Sequence, residues 1–301
     1  MYSRILVPLD GSPLAEQVLP YVRVLALRLN APITLLRAFG PVPDVWADPA
    51  HGLYLDRLID DFRDKAQDYL SAVGHNLRDL GVSISIATPE GGPARHIIEE
   101  AEKLPDTLIT MCTHGRSGIG RWLLGSITEK ILLATSNPLL VFRARDQQEP
   151  SFQASLKTVI VPLDGSPLAE QVLPHVVRLA SALELNIQLV RAVPRITEYL
   201  SEIRFEAPVL LPPFEKLDEE ANKYLEGIAH RLLHKGKFSI ECRVLHGPAD
   251  AAIVDYAKEV SDNLVAMTTH GRTGMGRWLL GSVADRVVRY CGDPVLVIRP
   301  Q

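Results

Sequence analysis

Two polar segments occur twice in the chain, and their residue types suit the binding of an anionic ligand. Residues 7–20 read VPLDGSPLAEQVLP, and residues 161–174 repeat this string without a change. Residues 113–126 read THGRSGIGRWLLGS, and residues 269–282 read THGRTGMGRWLLGS. Hydrophobic cores tolerate many side-chain exchanges, so identity that is kept in polar loops indicates a site that the chain uses twice.

The glycine-rich segment has the features of a phosphate cradle. Glycine adopts left-handed backbone conformations and lets the main chain approach an anion closely. The Gly-Ser pair that ends the segment opens a predicted helix, whose N-terminus carries free N–H groups and about half a positive charge. A merely tight turn is the alternative interpretation. The candidate phosphate-binding residues are Gly115, Gly118, Gly125 and Ser126 in the first half, and Gly271, Gly274, Gly281 and Ser282 in the second.

The DGS segment follows the first predicted strand of each half and begins a helix. Its carboxylates, Asp10 and Asp164, suit a hydrogen bond from an adenine amino group or a ribose hydroxyl. Ser12 and Ser166 are further candidate contacts for the ligand, and both are also typical residues for a helix N-cap. The alternative is that each aspartate only forms an Asx turn or a cap on its own loop.

Neither of two common nucleotide-binding glycine motifs fits these segments. Gly120 and Gly125 have the spacing of a P-loop, but Ser126 stands where a P-loop needs the lysine that reaches the β/γ-phosphates. The segment also follows the fourth predicted strand rather than the first. The first βα turn, DGSPLAE, has one glycine and therefore lacks the GxGxxG dinucleotide fingerprint.

Strand and helix patterns alternate through both halves. The first predicted helix begins at Pro13, after Ser12, and carries an apolar stripe as far as Leu29. A long helix is predicted over residues 54–80, with Gly81 as its C-cap. The predicted strands are residues 4–9, 32–39, 82–88, 107–112 and 138–143, and then 157–163, 187–193, 238–245, 263–268 and 294–299.

This alternation predicts an α/β fold class with two tandem doubly wound domains, each an open, mostly parallel five-stranded sheet flanked by helices. The domains are predicted at residues 1–146 and 156–301, joined by a polar linker at 147–155. Ligands of such sheets bind at the carboxyl ends of the strands, at the switch point. Both repeated segments follow strands, so we expect them to meet at one site although roughly 100 residues separate them.

With these segments in this strand order, the chain resembles the universal stress protein family over essentially its full length. The ATP-binding members carry the pattern G-2x-G-9x-G-[ST]. Gly115 and Gly125 match its second and third glycines, as do Gly271 and Gly281. The first glycine of the pattern lies beside the ribose in relatives that bind ATP. In this chain Cys112 replaces it in the first half and Thr268 replaces it in the second. This leaves open whether both halves bind nucleotide.

The resemblance implies a Rossmann-like, ATP-binding stress-response module whose ligand is ATP, AMP or ADP, with Mg²⁺ as a further candidate. Family members also pair through their last strand, which implies an intramolecular pseudo-dimer of the two domains or a homodimer. The implied nucleotide contacts in the first half are Pro8, Asp10, Ala38, Met111, Cys112, Gly115, Arg116, Gly125, Ser126 and Ile127. The matching positions in the second half are Pro162, Asp164, Ala192, Met267, Thr268, Gly271, Arg272, Gly281, Ser282 and Val283.

Histidines give no catalytic or metal-binding set. His114 and His270 fall in the glycine-rich segment, where ordering the loop of the binding site is favoured over catalysis because no Ser/His/Asp set accompanies them. His230 and His234 have the i, i+4 spacing of a metal pair, but no acidic neighbour completes an HExxH motif. We therefore expect no metal site and at most slow hydrolysis.

Composition narrows the class of protein further. The 301 residues carry a net charge of −4 without a basic stripe, which argues against nucleic acid as a partner. No apolar run reaches the ~18–20 residues of a membrane span, and no signal peptide is expected. Three cysteines without a CxxC motif indicate a reducing compartment, so the protein is predicted to be cytoplasmic.

Three functional hypotheses remain at this point. The first is a nucleotide-dependent regulatory module of the stress response, acting on a protein partner that the sequence does not identify. The second is an interaction scaffold of the same fold that binds no nucleotide. The third is an enzyme of the adenine-nucleotide α-hydrolase-like group, which needs a substrate pocket that the Pro-rich inserts after the second strands could supply.

Overall fold

The computed structural model of the protein describes residues 2–40, 52–113, 125–143, 154–195, 214–271 and 280–300. These residues form two compact units, with the boundary between residues 154 and 155. The predicted linker at 147–155 lies outside the described residues except for its last two positions. The Pro-rich inserts lie almost entirely outside them.

In the described part of unit 1, parallel strands alternate with helices. The strand order is β3-β2-β1-β4-β5, and every strand pairs in parallel with its neighbours. The elements are β1 (Arg4–Pro8), α1 (Pro13–Glu16), α2 (Leu19–Leu29), β2 (Ile33–Leu36), α3 (Gly52–His75), β3 (Ile84–Ala87), α4 (Pro93–Glu102), β4 (Thr107–Thr113), α5 (Ser126–Ala134) and β5 (Leu139–Arg143).

Unit 2 repeats this topology. Its strand order is β10-β9-β6-β7-β8, again with parallel pairing throughout. The predicted fold class is thus confirmed. The elements are β6 (Thr158–Pro162), α6 (Pro167–Glu170), α7 (Leu173–Leu183), β7 (Asn186–Val193), α8 (Phe214–Leu233), β8 (Ile240–His246), α9 (Ala249–Glu259), β9 (Asn263–Thr268), α10 (Ser282–Tyr290) and β10 (Val295–Ile298).

The helix predicted from Pro13 to Leu29 is in fact two helices. Ser12 is the N-cap as predicted, since its Oγ accepts a hydrogen bond from the backbone N of Ala15 at 3.1 Å. However, α1 ends at Glu16 and α2 begins at Leu19. Pro20 explains the break, because proline has no N–H and its ring clashes with the carbonyl four residues earlier.

The long helix also ends earlier than predicted. It stops at His75, and a separate 3₁₀ turn covers Arg78–Leu80. Gly81 caps this turn rather than the long helix, with a left-handed φ of 69°. Gly74 and Asn76 are poor helix formers at the point where the helix ends.

The central strands are buried, whereas β3 and β8 are partly exposed. All seven residues of β4 are buried, as are all six of β9. The edge strands β3 and β8 alternate between half-buried and exposed positions over most of their length. This distribution follows from helices covering both faces of a parallel sheet, which is why the central strands read as continuous apolar runs.

The two units differ at one buried polar contact. Arg4 is 6% exposed, and its Nη1 donates to Glu100 Oε1 at 2.7 Å. Burial alone would raise the pKa of Glu100, but hydrogen bonds from Lys103 and Arg4 outweigh it and lower the pKa. In unit 2 the corresponding helix position holds Tyr256, whose hydroxyl donates to Gln188 Oε1 at 2.9 Å.

Replacing Glu100 should therefore destabilise the protein in a pH-dependent way. We expect Glu100→Gln to lower the free energy of unfolding by about 2 kcal/mol at neutral pH, because Arg4 keeps its charge without a charged partner. A lowered pKa in the folded state means that this stabilisation is present above the pKa of the unfolded state and is lost as the pH falls. The difference from the parent should therefore shrink below roughly pH 4 in urea unfolding experiments.

Glu99→Gln provides the control on the same helix. Glu99 pairs with Arg95 at the surface, and exposed ion pairs contribute little. Its melting temperature should stay close to that of the parent. A loss of stability in Glu100→Gln that is the same at neutral and acidic pH would contradict the charged pair.

Candidate functional site

The DGS segments form the same turn in both units. Asp164 Oδ1 accepts a hydrogen bond from the backbone N of Ser166 at 2.8 Å, and Gly165 has a left-handed φ of 88°. In unit 1, Asp10 Oδ1 accepts from the backbone N of Ser12 at 2.9 Å. The Asx turn considered as the alternative role of the aspartates is therefore present. It uses one carboxylate oxygen and fixes the direction of the other.

In unit 2 the two repeated segments meet around one cavity of about 300 Å³. The ends of β6, β7 and β9 and the start of α10 surround it. Ser166 lies just outside the lining, because its side chain caps α6 instead. Arg272 and Gly274 lie outside the described residues. The predicted contacts that line the cavity are Pro162, Asp164, Ala192, Met267, Thr268, His270, Gly271, Gly281, Ser282 and Val283.

Two glycines of this cavity leave no room for a side chain. A Cβ atom at Gly271 would overlap the Asp164 carboxylate. A Cβ at Gly281 would lie 2.8 Å from the carbonyl oxygen of Thr269, which accepts a hydrogen bond from the Gly281 N–H at 2.9 Å. Glycine is thus required for the close approach of the DGS turn and the start of α10 to the loop after β9.

Thr268, which replaces the family's first glycine, is fully satisfied in this loop. Its Oγ1 donates to the carbonyl oxygen of His270 at 2.8 Å. The Oγ1 of Thr269 lies 3.0 Å from His270 Nδ1. Both threonines are buried, with exposed fractions of 6% and 3%. The Thr268 side chain therefore stabilises the loop that carries His270.

Several cavity residues escaped the sequence analysis. Ala249 and Ile253 of α9 and Val190 of β7 line the cavity and belong to neither repeated segment. The sequence signal that could have indicated Ala249 and Ile253 is their position as small or apolar residues near the start of a helix that follows a strand. Their part in the site depends on how closely α9 packs against α10, which sequence patterns do not give.

The unit 1 positions are described only in part. Pro8 ends β1, Ala38 follows β2, and Gly125 precedes α5, which Ser126 and Ile127 begin. His114, Gly115, Arg116 and Gly118 lie outside the described residues.

Cys112 and Met111 lie in the buried strand β4 of unit 1. Burial, followed by the negative charge of Asp10, raises the pKa of the Cys112 thiol to about 12, although a backbone hydrogen bond with Val18 opposes the shift. The thiol is therefore protonated at neutral pH. It fills the first-glycine position as a small apolar group, in contrast to the hydrogen-bonding Thr268.

The described residues contain no group of three or more His, Cys, Asp or Glu side chains placed to hold a metal ion. His230 of α8 and His234, which directly follows the end of that helix, stand edge to face with ring centroids 5.7 Å apart. Within the same described ranges, the helices are too short or too polar to span a bilayer.

Comparison with known proteins agrees with this architecture. The profile described as "Universal stress protein family" matches residues 1–143 and again residues 155–299. The chain belongs to this family. It carries the universal stress protein domain twice, as the internal repeat indicated.

Relatives with the same tandem length support the assignment. A universal stress protein of Mycolicibacterium smegmatis is 26% identical, with 99% of this chain and 97% of the relative covered. One from Synechocystis is 24% identical, with 99% and 100% covered. The crystal structure of a universal stress protein from Archaeoglobus fulgidus superposes with a TM-score of 0.72 at 19% identity, covering 99% of both chains, and so shares the fold.

The two helix-start glycines give a matched pair of variants. Gly281→Ala should lower the free energy of unfolding by about 1–3 kcal/mol, because its methyl group collides with the Thr269 carbonyl. Gly125→Ala should cost less stability, since its methyl carbon would lie 3.7 Å from Thr128 Oγ1, the nearest atom in the part of the chain that the structure describes. Differential scanning calorimetry measures both. Equal losses in the two variants would contradict the close approach at Gly281.

Proposed function

We propose that this universal stress protein binds an adenine nucleotide (ATP, ADP or AMP) and acts as a nucleotide-dependent regulatory module of the stress response. The observation that carries the proposal is the cavity of unit 2, where the DGS turn, the loop after β9 and the start of α10 come together. A volume of about 300 Å³ lies at the lower end of the range for small-molecule pockets. It suits the nucleoside part of the ligand.

The side chains that line the cavity suit an adenine nucleotide. Ala192, Met267 and Val283 supply apolar walls for the base. Asp164 supplies a hydrogen-bond acceptor that the Asx turn holds in place.

The phosphate side of the cavity is formed by the start of α10. Gly281 and Ser282 bring the helix N-terminus to the cavity wall. Unpaired N–H groups and the helix dipole favour a phosphate at such a position. When bound, Mg²⁺ would supply charge neutralisation at the phosphates.

The same geometry supports slow hydrolysis at most. Among the described residues, His270 is the histidine that lines the cavity, and its Nδ1 lies within hydrogen-bond distance of Thr269 Oγ1. A general base must reach the proton of the attacking water in a fixed orientation. We propose that nucleotide occupancy, rather than turnover, changes the surface that a partner protein reads.

Titration with nucleotides tests the proposal directly. Purified protein should bind ATP in calorimetry, and its melting temperature should rise with ligand concentration. A ligand at 100 times its Kd adds about 2.7 kcal/mol to the stability of the folded state. AMP, ADP, and ATP with and without Mg²⁺ should be compared. No binding and no shift at millimolar nucleotide would favour the interaction scaffold, whereas rapid turnover would favour an enzyme.

Charge reversal at the helix starts should locate the phosphates. Ser126→Asp together with Ser282→Asp should raise the Kd for ATP at least tenfold, because each carboxylate repels the phosphates. Ser126→Asn with Ser282→Asn keeps the size of the aspartates without their charge and should have a smaller effect. The single Asp variants assign affinity to each half. An unchanged Kd in the double Asp variant would mean that the phosphates lie elsewhere.

A further inference from the structure

An arginine, a tyrosine and a glutamate meet beside the DGS turn of unit 1. The Arg37 guanidinium lies over the Tyr69 ring, with Cζ 4.7 Å from the ring centroid. The Tyr69 hydroxyl donates to Glu16 Oε1 at 2.9 Å. Burial, followed by the hydrogen bond to Glu16, raises the pKa of Tyr69, so the hydroxyl remains a donor. The cluster therefore connects the residue that follows β2, the long helix α3 and the short helix α1.

The same guanidinium packs against the turn itself. A Cβ at Gly11 would lie 2.8 Å from Arg37 Nη2, 2.9 Å from Cζ and 3.0 Å from Nη1. Three nearly equal distances mean that the planar group presents its face to Gly11. Gly11 has a left-handed φ of 84°, and glycine alone would sample many other conformations. A flat group packed on its Cα removes the space for those alternatives.

Unit 2 contains the same cluster of an arginine, a tyrosine and a glutamate, and a second arginine bonds to the glutamate. Arg191 Cζ lies 5.1 Å from the centroid of the Tyr224 ring. The Tyr224 hydroxyl donates to Glu170 Oε1 at 3.1 Å, and Arg231 donates to the other oxygen of Glu170 at 2.6 Å. Burial does most to raise the pKa of Tyr224, the charges of Glu170 and Asp164 add to it, and Arg191 opposes them. The duplicated domain has thus kept the cluster beside each candidate site.

We propose that Arg37 and Arg191 are positioning residues that hold the DGS turn, and with it the Asp10 and Asp164 carboxylates, in the conformation that receives the nucleotide. This inference rests on the proposed function. In unit 2 the alternation of β7 separates the two roles, because Ala192 lines the cavity and the neighbouring Arg191 points to the other face of the sheet. Arg191 does not itself line the cavity, and its role is inferred from the packing of Arg37 on Gly11 in unit 1.

Unit 2 also provides a matched control. Arg243 on the edge strand β8 lies over the Tyr256 ring at the same 5.1 Å, but Tyr256 bonds to Gln188 rather than to a glutamate of the helix that follows the DGS turn. Arg191→Met and Arg243→Met each remove one cation–π contact with the same distance from Cζ to the ring centroid. Arg191→Lys keeps the positive charge but loses the planar face. Variants are made in the full chain with Ser126→Asp, which weakens the first site.

Two readouts are needed. Amide hydrogen exchange of the peptide containing Ser166 reports the turn, because this amide donates to Asp164 Oδ1. We expect exchange to become roughly fivefold faster in Arg191→Met, with a similar rise in the Kd for ATP, and Arg191→Lys to restore part of both. Arg243→Met should change neither. Thermal unfolding checks that each variant is folded. If Arg191→Met does not fold, the comparison is made with Arg191→Lys alone.

The outcomes separate the two proposals. A parent that binds no adenine nucleotide overturns the proposed function, and the positioning role falls with it. A parent that binds, with exchange and Kd unchanged in Arg191→Met or in Arg191→Lys alone, overturns the positioning role only. Faster exchange without a change in Kd also overturns it, because the turn would then loosen without consequence for the ligand. Equal effects in Arg243→Met would reduce the contact to general stability.

Discussion

Parallel pairing of the first and fourth strands of each unit is the constraint on which the candidate site depends. In unit 2, Thr158 pairs with Asn263 and Ile160 pairs with Val265, with both strands running in the same direction. Their carboxyl ends therefore lie side by side at one edge of the sheet. The DGS turn and the loop after β9 leave that edge as neighbours. Antiparallel pairing would place them at opposite ends, and no arrangement of glycines could then form one cavity.

Within that constraint, the two copies have kept one side of the site and changed the other. The Asx turn, the left-handed glycine and the N-cap serine have nearly the same geometry in both units. The loop side differs, because Thr268 bonds to the carbonyl of His270 whereas Cys112 is a buried, protonated thiol. A methyl group at Gly281 would collide with the main chain, whereas the described residues come no closer than 3.7 Å to one at Gly125. Under the proposed function, the two halves should therefore differ in their affinity for the nucleotide.

Much of this architecture could be predicted because its causes are local or periodic. The N-cap at Ser12 follows from a serine before proline and apolar helical spacing, and the buried strands follow from their apolar runs. The break before Pro20 was missed because the apolar stripe continues through it. Ala249 and Ile253 were missed for a different reason. Their contact with the cavity is set by the packing of one helix against another, which no spacing within the segment encodes.

The groups that would hold a phosphate in the cavity also affect whether a bound nucleotide would be hydrolysed. The described lining offers the N-terminus of α10 and no lysine or arginine. Backbone N–H groups and a helix dipole stabilise a phosphate by fixed partial charges. Interactions that are equally strong in the ground state and the transition state lower the dissociation constant without accelerating the reaction. Under the proposed function, these described groups would contribute to the retention of a nucleotide rather than to its turnover.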